Sequence, residues 1–310
     1  MSSKKVVISS GDPAGCGPLI TLKAIESLHK RKIDFYVAGS RDIYSRYPLY
    51  EKVKNRINWI DVDAVRVKDI KAGIGSILSG EAALEYLSVS LEFMKLKSLD
   101  CLVTAPLSKE AVQLKNPGFR GHTEYLGRFF KAGNIAMLMY SERIKTVLMT
   151  RHMPFSEVSR KINKKLVRDT ALLVISFLRK RLKVKSPRIA FASLNPHAGV
   201  DTFMGREERI IASGIKGIKE ASGPFPADTL YTPSKLSKYD CFVSPYHDQG
   251  MIPFKLLSFR EGVNVTLGLP VIRTSPAHGV AYDVMCRNKQ PFFSSMKAAI
   301  ELAVKLSGGN

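Results

Sequence analysis

"VVISSGDPAGCGPLITLKAI", residues 6–25, passes from an apolar run through a turn with three glycines, two prolines and an aspartate into a helix-like segment. Val6 to Ser9 reads as a short buried strand. After Pro18, the apolar residues Leu19, Ile20, Leu22, Ile25 and Leu28 fall on one face at helical spacing. Proline is well placed in a first helical turn, where its missing N–H costs nothing. The unit is therefore strand, glycine turn, helix, an arrangement in which free backbone N–H groups can meet an anion. Gly11, Gly15 and Gly17 match neither G-x-G-x-x-G nor the phosphate-binding G-x-x-x-x-G-K-[ST] pattern. Two readings stay open for the turn, a structural corner or a ligand loop.

Outward from this unit, strands and helices alternate. Strands are expected at 6–9, 35–39, 58–61, 102–104, 135–140, 145–150, 189–193, 242–244 and 263–267, and helices at 18–30, 80–96, 164–182, 205–221 and 295–306. That alternation argues for an α/β fold with mostly parallel sheets. One pair departs from it: "IAMLMYSERIKTVLMT" reads as an antiparallel hairpin around Ser-Glu-Arg. The chain is expected to leave a first domain near 114–121 and return to it near 262–270.

The 310 residues, 45% hydrophobic and 24% charged, suffice for one large domain or two ordinary ones and have the composition of a soluble globular protein. No apolar run approaches membrane-spanning length and no secretory signal is visible, so no membrane partner is expected. Cys16, Cys101, Cys241 and Cys286 are scattered and form no metal or redox pair, which suits a cytoplasmic setting. The net charge of +21 invites a nucleic-acid reading. The basic clusters at 160–165 and 179–188 lack interleaved aromatics that could stack bases, however, and no specific nucleic-acid site is expected. A basic surface attracting anionic metabolites accounts for the charge.

Six histidines occur. His29 ends the first helix, where a cation suits the helix dipole. His122, His152, His197, His247 and His278 each read as following or ending a strand, where α/β sheets place their chemistry. Imidazole is a common transition-metal ligand, and three with an open position make a catalytic site. Their wide spacing excludes a local motif, so the fold would have to assemble them. Asp248 could orient an imidazole or act as a base. Lys109 in "TAPLSKE", Lys255, and Arg273 with Thr274 and Ser275 are candidate anion contacts; a guanidinium fork at Arg273 suits a phosphate or carboxylate.

Taken together, "SGDPAGCGP", "TAPLSKE", "GHTEYL", "LNPHAG", "YHDQG" and "GVNVTLGLPVIRTSPAHG" resemble the 4-hydroxythreonine-4-phosphate dehydrogenases of vitamin B6 biosynthesis. The resemblance implies two α/β/α lobes with an interlobe active-site cleft, like isocitrate and isopropylmalate dehydrogenases. On this chain the lobes would be 1–118 with 270–310, and 119–269, the second carrying a dimer interface. It implies metal ligands at His152, His197 and His247, in a site shared across a homodimer. Zinc is the first choice of ion, one per subunit, with magnesium, cobalt or manganese as alternatives. It further implies substrate contacts at His122, Thr123, Lys255, Asn264 and Arg273. Gly11, Asp12, Gly15 and Gly17 would line the cleft beside NAD or NADP.

The implied reaction is oxidation of 4-phosphohydroxy-L-threonine at C3, with the metal polarising the C3 oxygen and Lys255 or Asp248 as base. Decarboxylation to 3-amino-2-oxopropyl phosphate follows. Two departures from the family's pattern bear on preference. Leu19 stands where the pattern continues with glutamate, and Val200-Asp201-Thr202 stands where it reads Glu-Gly-Gly. A sister dehydrogenase of a phosphorylated sugar acid such as 4-phospho-threonate would share this machinery. A nucleic-acid-binding protein or a phosphate acyltransferase on a related fold would not need the three histidines.

Overall fold

A computed structural model describes residues 3–199 and 205–308; Val200, Asp201 and Thr202 lie outside the described residues. Among the described residues eleven strands appear in chain order, β1 (Lys4–Ser9), β2 (Ile33–Gly39), β3 (Ile57–Asp61), β4 (Cys101–Thr104), β5 (Ala136–Tyr140), β6 (Lys145–Leu148), β7 (Ile189–Ala192), β8 (Ala221–Phe225), β9 (Cys241–Ser244), β10 (Val263–Leu267) and β11 (Ile272–Pro276). They divide between two compact units, one formed by the chain up to Phe130 with Leu269–Gly308, the other by Lys131–Gly268.

In the first unit the strands run β3-β2-β1-β4-β11, every neighbouring pair parallel. Such a sheet is buried on both faces, which is why β1 and β4 read as unbroken apolar runs rather than alternating ones. The second unit has the order β10-β5-β6-β9-β7-β8. There β5 pairs antiparallel with β10 and β6, as the hairpin pattern requires, and β6, β9, β7 and β8 are parallel.

The first crossing between units falls after Phe130, not at 118. Packing decides this. Leu126, in helix His122–Phe129, is buried with Val7, Leu87, Leu91, Met94 and Leu102, and Tyr125, Phe129 and Phe130 lie against the same cluster. An eight-residue amphipathic helix gives no sign in sequence of which core it will join. Two strands were not anticipated. In β8, "ASGPF" carries glycine and proline, and in β11, "IRTSP" carries an arginine and no apolar alternation. The helix expected over 205–221 stops at Ile215, and Gly217, at φ +80°, turns the chain toward β8.

The opening turn is a packed corner. Residues 6–22 are all buried. Gly11 has φ +68°, and a side chain there would collide with the Pro106 carbonyl oxygen; one at Gly17 would collide with that of Ser10. Asp12, fully buried, accepts hydrogen bonds from Ala14 N at 2.8 Å, Ser79 Oγ at 3.4 Å and Tyr282 Oη at 2.5 Å. Burial pushes its carboxyl above the usual range, and those hydrogen bonds oppose the rise. Close backbone approach at Gly11 and Gly17 is thus to the chain's own carbonyls. Gly11→Ala should lose at least about 2 kcal/mol of stability with no ligand present, from left-handed strain plus the clash. Urea unfolding of the unliganded protein checks this; a variant of wild-type stability defective only in cofactor binding would assign the glycine to the ligand instead.

Candidate active site

In open parallel sheets, ligands sit beyond the carboxyl ends of the strands. In the first unit, Thr104 closes β4, and Arg273 lies on the neighbouring strand, opposite Leu102. Arg273 is the second residue of β11, one of the two strands that the sequence pattern does not announce. Its side chain is 2% exposed, and Nε and Nη2 both donate to Thr104 Oγ1, at 3.2 and 2.7 Å. A hydroxyl accepts these bonds without neutralising the charge. Burial pushes the guanidinium down to about 10, and the Glu124 carboxylate partly offsets this.

His122 does not follow a strand, as its sequence context had suggested. It is the first residue of helix His122–Phe129, after helix Lys109–Gln113 and the loop 114–121. Thr123 follows it, buried. The N-cap is Gly121, which offers no side chain to the first turn. His122 Nε2 is buried without a hydrogen-bond partner. Such an orphan costs about 1–3 kcal/mol. Burial, then the charges of Arg273 and Lys109, hold the imidazole well below its ordinary value, hence neutral near pH 7.

A stability effect follows from this. The unfolded chain protonates His122 below its ordinary pKa of 6.5, and the folded chain does not. Stability is therefore lost as pH falls below that value, by up to about 1.4 kcal/mol per pH unit from this one group. Denaturant titrations from about pH 7 to pH 5 should show the slope, and His122→Gln should lack this part of it.

In the second unit the segments that follow β6, β9 and β7, three neighbouring parallel strands, carry His152, His247 at the start of helix His247–Ser258, and His197. The first two come together, with ring centroids 5.5 Å apart. They line a cavity of about 380 Å3 with Thr150, Arg151, Phe155, Tyr246 and Asp248. His197 does not line it. It sits exposed in a left-handed turn at φ 53°, and among the described residues no group of three His, Cys, Asp or Glu side chains is placed to hold a metal ion. His247 Nδ1 lies 2.7 Å from Asp248 Oδ1. A carboxylate there fixes the tautomer with Nδ1–H donating, so that Nε2 keeps the lone pair a metal requires. Two adjacent imidazoles, one oriented by a carboxylate, are a donor set that fits a divalent ion. This geometry suits Asp248 to the orienting role, one of the two expected of it.

Lys255, in helix His247–Ser258, is half-buried over the Phe259 ring, and burial lowers its pKa, as suits a base. Asn264, on β10 opposite Met139, keeps a buried Oδ1 without a hydrogen-bond partner. His29 is exposed beyond the end of the first helix, as expected. Gly11, Asp12, Gly15 and Gly17, expected beside the cofactor, are buried within the first unit, where packing and hydrogen bonding account for Gly11, Asp12 and Gly17. Leu19 is 8% exposed, so the departure there places an apolar side chain in a core position.

Reading the sequence did not find Thr104, Tyr282 or Glu208. Glu208 is buried and accepts from Leu194 N at 2.9 Å and Asn195 N at 2.8 Å, pinning the loop that carries His197. The one available signal was an acidic pair opening a helix soon after "LNPHAG", which reads as an ordinary first turn.

A family model described as pyridoxal phosphate biosynthetic protein PdxA matches residues 17–303. The chain belongs to the PdxA family. A relative from Sulfurihydrogenibium sp., named 4-hydroxythreonine-4-phosphate dehydrogenase, is 33% identical over 97% of this chain and 98% of its own. One from Pectobacterium atrosepticum, named D-threonate 4-phosphate dehydrogenase, is 32% identical over 98% of this chain and 100% of its own. The crystal structure of 4-hydroxythreonine-4-phosphate dehydrogenase from Klebsiella pneumoniae matches with a TM-score of 0.84 and 31% identity, covering 98% of this chain and 100% of that one. The α/β architecture with mostly parallel strands is that of the PdxA family, and the chain is an oxidoreductase of that family. Among the described residues, no helix is long and apolar enough to cross a membrane.

Proposed function

We propose that this protein oxidises 4-phosphohydroxy-L-threonine at C3 with NAD+ or NADP+ in the formation of pyridoxal phosphate. The observation that carries the reading is the buried, partnerless Nε2 of His122 beside the guanidinium of Arg273. A neutral imidazole and a guanidinium offer a phosphate hydrogen-bond donors, and Thr123 adds a hydroxyl.

NAD(P)+ would supply the hydride acceptor for C3, and a divalent ion, zinc before magnesium, cobalt or manganese, would supply Lewis acidity at the C3 oxygen. His152 and His247 would hold that ion, with His197 as a third ligand from a second chain of a homodimer. Asp248 keeps Nε2 of His247 free to bind it. Lys255, its pKa lowered by burial, takes the C3 hydroxyl proton. The β-keto acid so formed loses carbon dioxide and leaves 3-amino-2-oxopropyl phosphate. On the outside of the second unit, Ile252, Leu256 and Phe259, exposed at 61%, 82% and 67%, line one face of the helix that begins at His247 and extend past its end. Such an apolar stripe suits a second copy of the chain.

A second reading is oxidation of 4-phospho-threonate, favoured by the 32% identity to the Pectobacterium relative. The two substrates differ at C2, amine against hydroxyl, and share the phosphate. The test is NAD+ and NADP+ reduction with each substrate, side by side, with and without chelator. Turnover of 4-phosphohydroxy-L-threonine well above that of the threonate supports the first reading. The reverse order establishes the second, and no turnover of either sinks both.

A further inference from the structure

Lys109 lies outside the substrate contacts and metal ligands that the family resemblance implies. It opens helix Lys109–Gln113 just beyond the end of β4, on a segment tied down at both sides. Ser108 Oγ accepts from Ala111 N at 3.1 Å, and Asp12 N donates to Pro106 O at 2.9 Å. The side chain crosses Gly121. A Cβ built on that glycine would stand 3.0 Å from Lys109 Cε and 3.5 Å from Nζ. Gly121, at φ +131°, thus leaves bare the strip of backbone over which the lysine passes. The next residue is His122, with its buried, partnerless Nε2. The charged groups facing this imidazole are Lys109 and Arg273, with Glu124 Oε2 3.5 Å from the same built Cβ. Two cations stand against one carboxylate, and the surplus is positive.

We propose that Lys109 is a third donor of the phosphate site, binding the same phosphate as Arg273 and His122 Nε2. The assignment rests on the phosphate reading above and deepens it. An ammonium on a flexible stem adds a point charge to the guanidinium and imidazole donors, and the anchored backbone of Lys109 keeps that charge from drifting away. A side chain at Gly121 would strain the backbone at φ +131° and crowd the lysine.

The test uses the full chain, with inorganic phosphate as probe, and compares wild type, Lys109→Met and Arg273→Met by calorimetry. Loss of one charge-assisted contact should weaken phosphate binding by Lys109→Met about tenfold. The melting temperature without phosphate should stay at the wild-type value. In NMR titrations, His122 of Lys109→Met should protonate at higher pH than in wild type, because one of the two cations holding it neutral is gone. A purely structural lysine would leave that titration unmoved. If Lys109→Met binds phosphate as wild type does while Arg273→Met does not, Lys109 is no part of the site and the phosphate reading stands. An unmoved His122 titration overturns the assignment as well. If neither variant alters phosphate binding, the phosphate reading itself falls and Lys109 with it.

Discussion

Arg273→Met should raise KM for the phosphorylated substrate about 100-fold or more while leaving the unliganded protein at least as stable as wild type. Both halves follow from one geometry. The guanidinium is 2% exposed, and its two donors to Thr104 meet a neutral hydroxyl. Burial of the charge costs the fold more than the Glu124 carboxylate returns, and an apolar side chain of similar length removes that cost. The sign agrees with the depressed pKa of about 10. A cation whose folded pKa lies below its unfolded one destabilises the fold at every pH below that value, neutral pH included. What the cation supplies is binding. One charge-assisted hydrogen bond is worth about 1.5–3 kcal/mol, or 10- to 150-fold, and a bidentate phosphate contact contains two. Arg273→Lys keeps the charge but not the fork, and should fall between. Steady-state kinetics and thermal melting together decide. A variant that melts much earlier with unchanged KM would show Arg273 to be a structural bolt on Thr104.

His247→Ala should abolish zinc retention and turnover together, and Asp248→Asn should weaken zinc affinity about 10- to 100-fold, the usual effect of removing the partner that orients a ligating imidazole. Zinc affinity, measured by competition with a chelating dye, is the readout, since loss of activity alone would not separate metal from base. Wild-type zinc affinity in Asp248→Asn would show that the 2.7 Å contact to His247 does not orient a ligand. Subunit sharing has its own test. Because His152 and His247 adjoin within one chain, they would lie on the same side of a shared site. Mixing His247→Ala chains with His197→Ala chains should then restore part of the activity, because one of the two sites in a mixed dimer has a full set of ligands. Mixing His152→Ala with His247→Ala should restore none. Recovery in the second mixture and not the first would reverse the assignment.

Several features were legible because they are local. Strand, glycine turn and helix at 6–25, the hairpin of β5 and β6, and the apolar runs of β1, β4, β7 and β9 follow from periodicity and turn chemistry, which neighbouring residues carry by themselves. Family membership was legible for a different reason, since six motifs in fixed order need no coordinates to be matched. The glycine turn shows where local reading stops. Its pattern was compatible with a corner or a ligand loop, and only the approach of Pro106 to Gly11 and of Ser10 to Gly17 shows which contacts the glycines serve.

By itself, the sequence determined the α/β class, the family and the placing of His152, His197 and His247 after strands. Tertiary structure alone decided which of those histidines meet. β6 and β9 are sheet neighbours and bring His152 to His247, although 95 residues of sequence separation relate Thr150 to its partner Pro245. Tertiary structure alone also buried Arg273 beside Thr104, 169 residues away, and left His122 Nε2 without a partner. The physical reason is common to all three. A side chain's period along the chain sets its helix or strand, but its burial, partners and charge state are set by strand order, and strand order is a property of pairings between segments far apart in sequence.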